Sequence, residues 1–186
     1  MLLPRQIQPA STRKLFYWVN IIFNTVDKSR LRTVGPNRLC AEWVLKNGGA
    51  VRFCESPKIL HNDYNLLPPE SSTVTVKEID ASNSAVMTMG FAHLEGCAKV
   101  DRIILGNCKY ADNRGMKYLA LAKETLRELE ISQCPNVNDS GLLQLSSLTK
   151  LQKLVLCDLQ GVKDLPGIEQ QLKIHLKDCQ FQVTPT

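Results

Sequence analysis

The sequence predicts a mixed α/β chain in which short parallel strands alternate with helices. Three observations lead there. An apolar motif recurs at a near-constant interval over residues 73–186, each well-formed copy runs into a turn and a helix start, and residues 15–72 carry helical periodicity instead. A chain of 186 residues with 44% apolar and 22% charged residues can bury one core, which excludes wholesale disorder. No apolar run approaches the roughly 20 residues of a membrane-spanning helix.

The motif is apolar-x-x-apolar-x-apolar-x-x-Cys. Val100, Ile103, Leu105 and Cys108 fill it first, then Leu126, Leu129, Ile131 and Cys134. Leu151, Leu154 and Leu156 follow, with Leu159 in the cysteine slot, and Val76, Ile79 and Ala81 form a degenerate earlier copy. Successive copies lie 24, 26 and 25 residues apart, within the span of leucine-rich repeats. A truncated unit is expected at Ile174, Leu176 and Cys179. Each unit predicts a strand with alternate side chains inward, a turn at the cysteine, and a return through a helix. Asn113 and Asp139 are the expected N-caps, with Met116, Leu119, Leu142 and Leu145 facing inward. One unit cannot cover its own apolar side, so the units must stack. The fold predicted is a short leucine-rich repeat solenoid of the cysteine-containing type, with a small helical N-terminal domain.

Along the outward strand positions, Glu78, Arg102, Glu128 and Lys153 form a column of alternating sign. Such a column serves equally as a structural ladder or as a partner-reading surface. Seven cysteines without a CxxC pair argue for reduced thiols, against both a disulfide framework and a structural zinc. Cys108, Cys134 and Cys179 are expected as small buried hydrophobes, and Cys157, on the outward side, as the more reactive thiol.

The net charge of +5 is confined to one end: residues 1–72 hold 10 Lys/Arg against 5 Asp/Glu, leaving 13 of each for the rest. Residues 1–14 form a basic tail without an acid, readable as a transit segment or as a plain basic tail. Leu15, Trp18, Val19, Ile22, Phe23 and Val26 then recur at helical spacing behind Arg13 and Lys14. That pattern predicts an amphipathic helix that caps the solenoid and touches a membrane or partner through Arg13, Lys14, Trp18 and Phe23, the alternative being a face that simply docks on the solenoid and closes its open end. A second helix is expected from Gly35-Pro36 to Asn47-Gly48-Gly49, with Pro68 to Ser72 as the junction to the repeats.

Enzyme signatures are missing from the sequence: there is no GxGxxG, Walker loop, HExxH or GxSxG. His61 with Asp63 is the one pair that resembles a catalytic arrangement, and it suits a loop hydrogen bond equally well. Positive charge confined to one end does not make a nucleic-acid-binding face. The expectation is a non-catalytic interaction protein.

The segments Trp18–Asp27, Val34–Arg38, Ala41–Leu45, Asp63–Pro68, Ile79–Ser82 and Gly90–Gly96 occur in an order and spacing that resembles the mitochondrial ATP synthase subunit s (coupling factor B) family over roughly residues 15–165. The resemblance implies a peripheral protein on the matrix side of the inner membrane. Its implied partner is the ATP synthase membrane sector, where it would support coupled ATP synthesis by limiting proton leak. It also implies a weakly held magnesium on main-chain carbonyls at the positions of Gly48 and Ser82, which suits an ion that wants oxygen and keeps its waters. A paralogous group is linked to complex I assembly, and the repeat type is shared with substrate adaptors of ubiquitin ligases; both are alternative roles. The family's Cys-x-Cys is replaced here by Gly106-Asn107-Cys108, which puts dithiol chemistry at that point in doubt.

Overall fold

The computed structural model describes residues 10–184, with side chains from residue 17 onward. Helices α1 (Ala10–Asn24) and α2 (Lys28–Lys46) lead into strands β1 (Ala50–Phe53) and β2 (Leu60–His61). There follow β3 (Val76–Asp80), β4 (Arg102–Gly106), α3 (Asn113–Tyr118), β5 (Glu128–Ser132) and α4 (Asp139–Leu143). The last elements are β6 (Lys153–Cys157), α5 (Leu165–His175) and β7 (Gln180–Thr184). The result is an open seven-stranded mixed sheet in the order β2-β1-β3-β4-β5-β6-β7.

From β3 to β7 neighbouring strands are parallel, and the register carries the predicted pattern. Ile79, Ile103, Leu129 and Leu154 align across the sheet, as do Leu105, Ile131 and Leu156. All are buried in one apolar cluster that runs from Cys40 to Leu176. Apolar side chains beneath the strands therefore stack from unit to unit, and helices or 3-10 turns close the other side.

The chain leaves each of β3 to β6 through a residue with positive φ: Asn83 (58°), Asn107 (51°), Gln133 (53°) and Asp158 (49°). Asparagine and aspartate tolerate this left-handed backbone better than most side chains. Their amide N–H groups each donate to the next unit, Asn83 to Gly106 O at 2.7 Å and Asn107 to Ser132 O at 2.8 Å. Side chains add rungs, with Asn107 Nδ2 donating to Asn83 Oδ1 at 2.9 Å. The thiols of Cys108 and Cys134 donate backward, to Ala81 O (3.1 Å) and Leu105 O (3.3 Å). In these two units the cysteine slot is therefore both a small apolar filler and an inter-unit donor.

Several expectations are corrected. The helix caps are Asp112 and Asn138, one residue before Asn113 and Asp139. Asn113 and Asp139 instead join units: Asn113 Oδ1 accepts from Asn138 N, and Asp139 accepts from Lys163 N and Asp164 N. The terminal unit is also shifted. Phe181 and Val183 align with Leu154 and Leu156, while Ile174 lies on α5 at 66% exposure and Cys179 is half-buried. A longer return helix moved the last strand beyond the fixed spacing. Residues 15–72 are not purely helical either, since β1 and β2 extend the same sheet antiparallel. Strands of four and two residues are too short to give a legible alternation. Finally, α2 begins eight residues earlier than Pro36, capped by the Asp27 side chain, and breaks at Gly35 (φ 76°) before Pro36 restarts it.

Candidate functional site

The N-terminal helices are held by one buried asparagine. Asn24 is 0% exposed at the end of α1. Its Nδ2 donates to Asn20 O and Asn47 Oδ1, both at 2.8 Å, and to Ala85 O at 3.1 Å. Its Oδ1 accepts from Trp43 Nε1 at 2.9 Å and from Met87 N at 2.8 Å. One amide thus ties α1 to α2 and to the loop before residues 88–94. Gly90 makes room for it, because a Cβ there would sit 2.3 Å from both Asn24 Oδ1 and Trp43 Nε1. Trp43 also stacks on His93 with ring centroids 5.1 Å apart, and His93 Nδ1 lies 2.8 Å from Gly90 O. Burial pushes the His93 imidazole below its usual range, against the Gly90 hydrogen bond that favours protonation.

A second buried anchor is Glu42, whose side chain is 1% exposed. Arg30 grips it with Nη2–Oε1 at 2.6 Å and Nε–Oε2 at 3.1 Å, and Arg38 Nε donates to Oε1 at 3.1 Å. Lys46 stands 3.7 Å away, one helical turn on at i,i+4. Burial alone would raise the Glu42 pKa, but the two guanidiniums outweigh it and the group lies below its ordinary value. Arg30 reaches on to Glu70, and Arg38 donates to Pro68 O, so this cluster also pins the junction to β3.

Beyond Asn24, α1 leaves its apolar face uncovered: Trp18 is 63% and Ile22 66% exposed, and Tyr17 and Phe23 are also open. Its C-terminal end is therefore docked through Asn24 while the aromatic residues before it stay exposed. Arg13 and Lys14 lie within α1, but their side chains fall outside the described residues. Among the described residues, no helix is long and apolar enough to cross a membrane.

Gly48 ends α2 with φ 85°, the left-handed stop expected of Asn-Gly-Gly. Its loop meets the one carrying Ser82: Ala85 N donates to Asn47 O at 2.8 Å, and a Cβ on Gly49 would lie 2.7 Å from Asp80 O. Asp80 Oδ1 accepts from Ser82 N at 2.9 Å, fixing that turn. No described residue donates to the Gly48 or Ser82 carbonyl. Among the described residues, no group of three or more His, Cys, Asp or Glu side chains gathers as a metal cage.

The pair that resembled catalytic machinery is not assembled. His61 Nε2 lies 3.1 Å from Ser56 Oγ and its ring packs on Phe53, whereas Asp63 accepts from Asn65 N at 2.8 Å as a turn cap. The outward column is laid out as predicted. Arg102 pairs with both Glu78 and Glu128 at 3.4 Å, and Arg52 of β1 extends the ladder to Glu78 at 2.7 Å. Cys157 lies at its outward strand position, half-buried.

Comparison with known proteins adds what geometry alone does not give. No protein-family profile matches the chain. Curated proteins do: it is 38% identical to mouse "ATP synthase subunit s, mitochondrial" over 176 residues, spanning 92% of this chain and 88% of that one. The rat protein of the same name is 39% identical over 181 residues, 89% of each chain. The chain belongs to the mitochondrial ATP synthase subunit s family. Bovine subunit s agrees, at 35% identity over 92% of this chain and 88% of its own. These matches extend across most of both chains, so they take in α2 and the junction as well as the repeated units. Asn24 and Glu42 had no sequence signal as anchors. Asn24 closes an apolar helix, and Glu42 reads as one half of an i,i+4 pair until Arg30 and Arg38 come together around it.

Proposed function

We propose that this protein is a non-catalytic accessory factor of mitochondrial ATP synthase, built on a cysteine-containing leucine-rich repeat solenoid. Membership of the subunit s family is the observation that carries the reading. It acts at the matrix face of the inner membrane, bound peripherally to the membrane sector, and limits proton leak there. The uncovered aromatic side of α1 supports this, since Trp18 and Phe23 offer an apolar surface at one end of the sheet and the segment before them is basic. Arg13, Lys14, Trp18 and Phe23 form the contact, and each cation adds about 1 kcal/mol near an anionic surface.

This reading includes a weakly held magnesium where the end of α2 meets the turn after β3, on the Gly48 and Ser82 carbonyls, to which no described residue donates. Two such oxygens suit an ion that keeps several waters, and its role is to brace the two loops. The functional test is stoichiometric rescue. Membranes depleted of the protein should leak protons, and its return should restore coupling up to one copy per synthase. Trp18→Ala with Phe23→Ala should abolish rescue without changing the circular dichroism. His61→Ala should leave rescue intact; rescue at far below one copy per synthase would contradict a stoichiometric role.

A further inference from the structure

A groove of about 1310 Å³ runs between α1 and the helical side of the first two repeated units. Tyr17 and Ile21, one turn apart on α1, line it together with Met87 and Met89. Tyr118 and Leu121 also line it, from the end of α3 and the 3-10 turn after it, and both are exposed. A helix 10 Å across fills that volume over about 11 residues, or three turns. Thioethers beside aromatic walls make an adaptable apolar bed of the kind that takes an amphipathic helix.

Charge decides the occupant. Lys109 and Lys117 lie on the rim, and among the described residues neither forms an ion pair. The carboxylate beside them, Asp112, is already committed: Arg114 pairs with its Oδ2 at 2.9 Å, and Thr88 Oγ1 donates to its Oδ1 at 2.6 Å. We propose that this groove binds an amphipathic helix of a partner polypeptide whose apolar face is flanked by Asp and Glu. A second copy of this chain would offer α1, which brings Arg13 and Lys14 to an already positive rim. The chain's own first residues bring Arg5 and no acid. A flat bilayer cannot follow a groove lined by α1 together with α3 and the 3-10 turn after it. The inference is independent of the ATP synthase reading, and either can fail alone.

The test uses the full chain and three fluorescein-labelled stapled helices of about 14 residues, alike in their leucine face and flanked by Glu, Gln or Lys. Affinity should fall from Glu to Gln to Lys, by roughly tenfold in all. Lys109→Glu with Lys117→Glu should reverse the order, and Leu121→Arg, at a site 46% exposed, should abolish binding of all three. Failure of every helix to bind, or an order that ignores the rim charges, overturns the proposal. So does binding that emerges only after residues 1–9 are removed, which makes the tail the occupant. Self-association lost in Leu121→Arg without helix binding assigns the groove to a second copy and equally overturns it. Flotation on phosphatidylcholine vesicles with about one-fifth cardiolipin, lost in the same variant without helix binding, assigns it to lipid and overturns it too.

Discussion

Asn24 and Glu42 hold the N-terminal helices by different physics, and each has its own signature under mutation. Asn24→Ala leaves Trp43 Nε1 and Met87 N without their acceptor in a buried place, at about 1–3 kcal/mol per orphaned group. Protease cleavage within α1 should accelerate severalfold in that variant, while the far-UV spectrum of the sheet persists. Glu42→Gln strands Arg30 and Arg38 against a neutral amide and should cost about 3 kcal/mol, measured by urea unfolding. His93 supplies a pH test. Its folded pKa is depressed, so its contribution is complete above the unfolded value near 6.5 and is lost as pH falls below that toward the folded one. The wild-type melting temperature should therefore drop between about pH 7.5 and 5.5, more steeply than that of His93→Gln. The Asn24 role is not visible along the chain, because its partners Trp43 and Met87 lie 19 and 63 residues away, and Glu42 becomes an anchor only when Arg30, 12 residues before it, folds back across the Gly35 break.

At the scale of elements, the apolar slots of β3 to β6 were legible because their period is imposed by stacking. Every unit must present the same side chains at the same height, so Ile103, Leu129 and Leu154 repeat in sequence as they align in space. Leu129→Lys should accordingly unfold the protein or cost several kcal/mol, by burying a charge without a partner. Glu130→Lys, one residue on and outward, should melt within a degree or two of the wild type. Equal damage from both would place the register wrongly. What escaped were the features that break the period: the four- and two-residue strands β1 and β2, the shifted β7, and the helical turns before Gly35. A propensity argument also misses the positive-φ column, since Gln133 occupies a position for which Asn or Gly is the usual choice.

For the whole molecule, the end of the sheet next to α2 and α1 carries the surfaces on which the proposals rest. The uncovered aromatic face, the groove beside it and the meeting of the Gly48 and Ser82 loops all lie there, whereas the outward column neutralises itself through Arg52, Glu78, Arg102 and Glu128. The site was legible in part. Trp18 and Phe23 announce themselves as apolar residues on a basic-flanked helix, but the groove is assembled from α1, residues 87–89 and α3, which no local pattern connects. Co-fractionation of the endogenous protein from gently solubilised mitochondria, resolved on native gels and followed by quantitative mass spectrometry, tests the central claim most directly. The account predicts that it travels with ATP synthase, and that Trp18→Ala with Phe23→Ala releases it. Migration instead with a complex I assembly intermediate or with a ubiquitin-ligase scaffold, and none with ATP synthase, would contradict it.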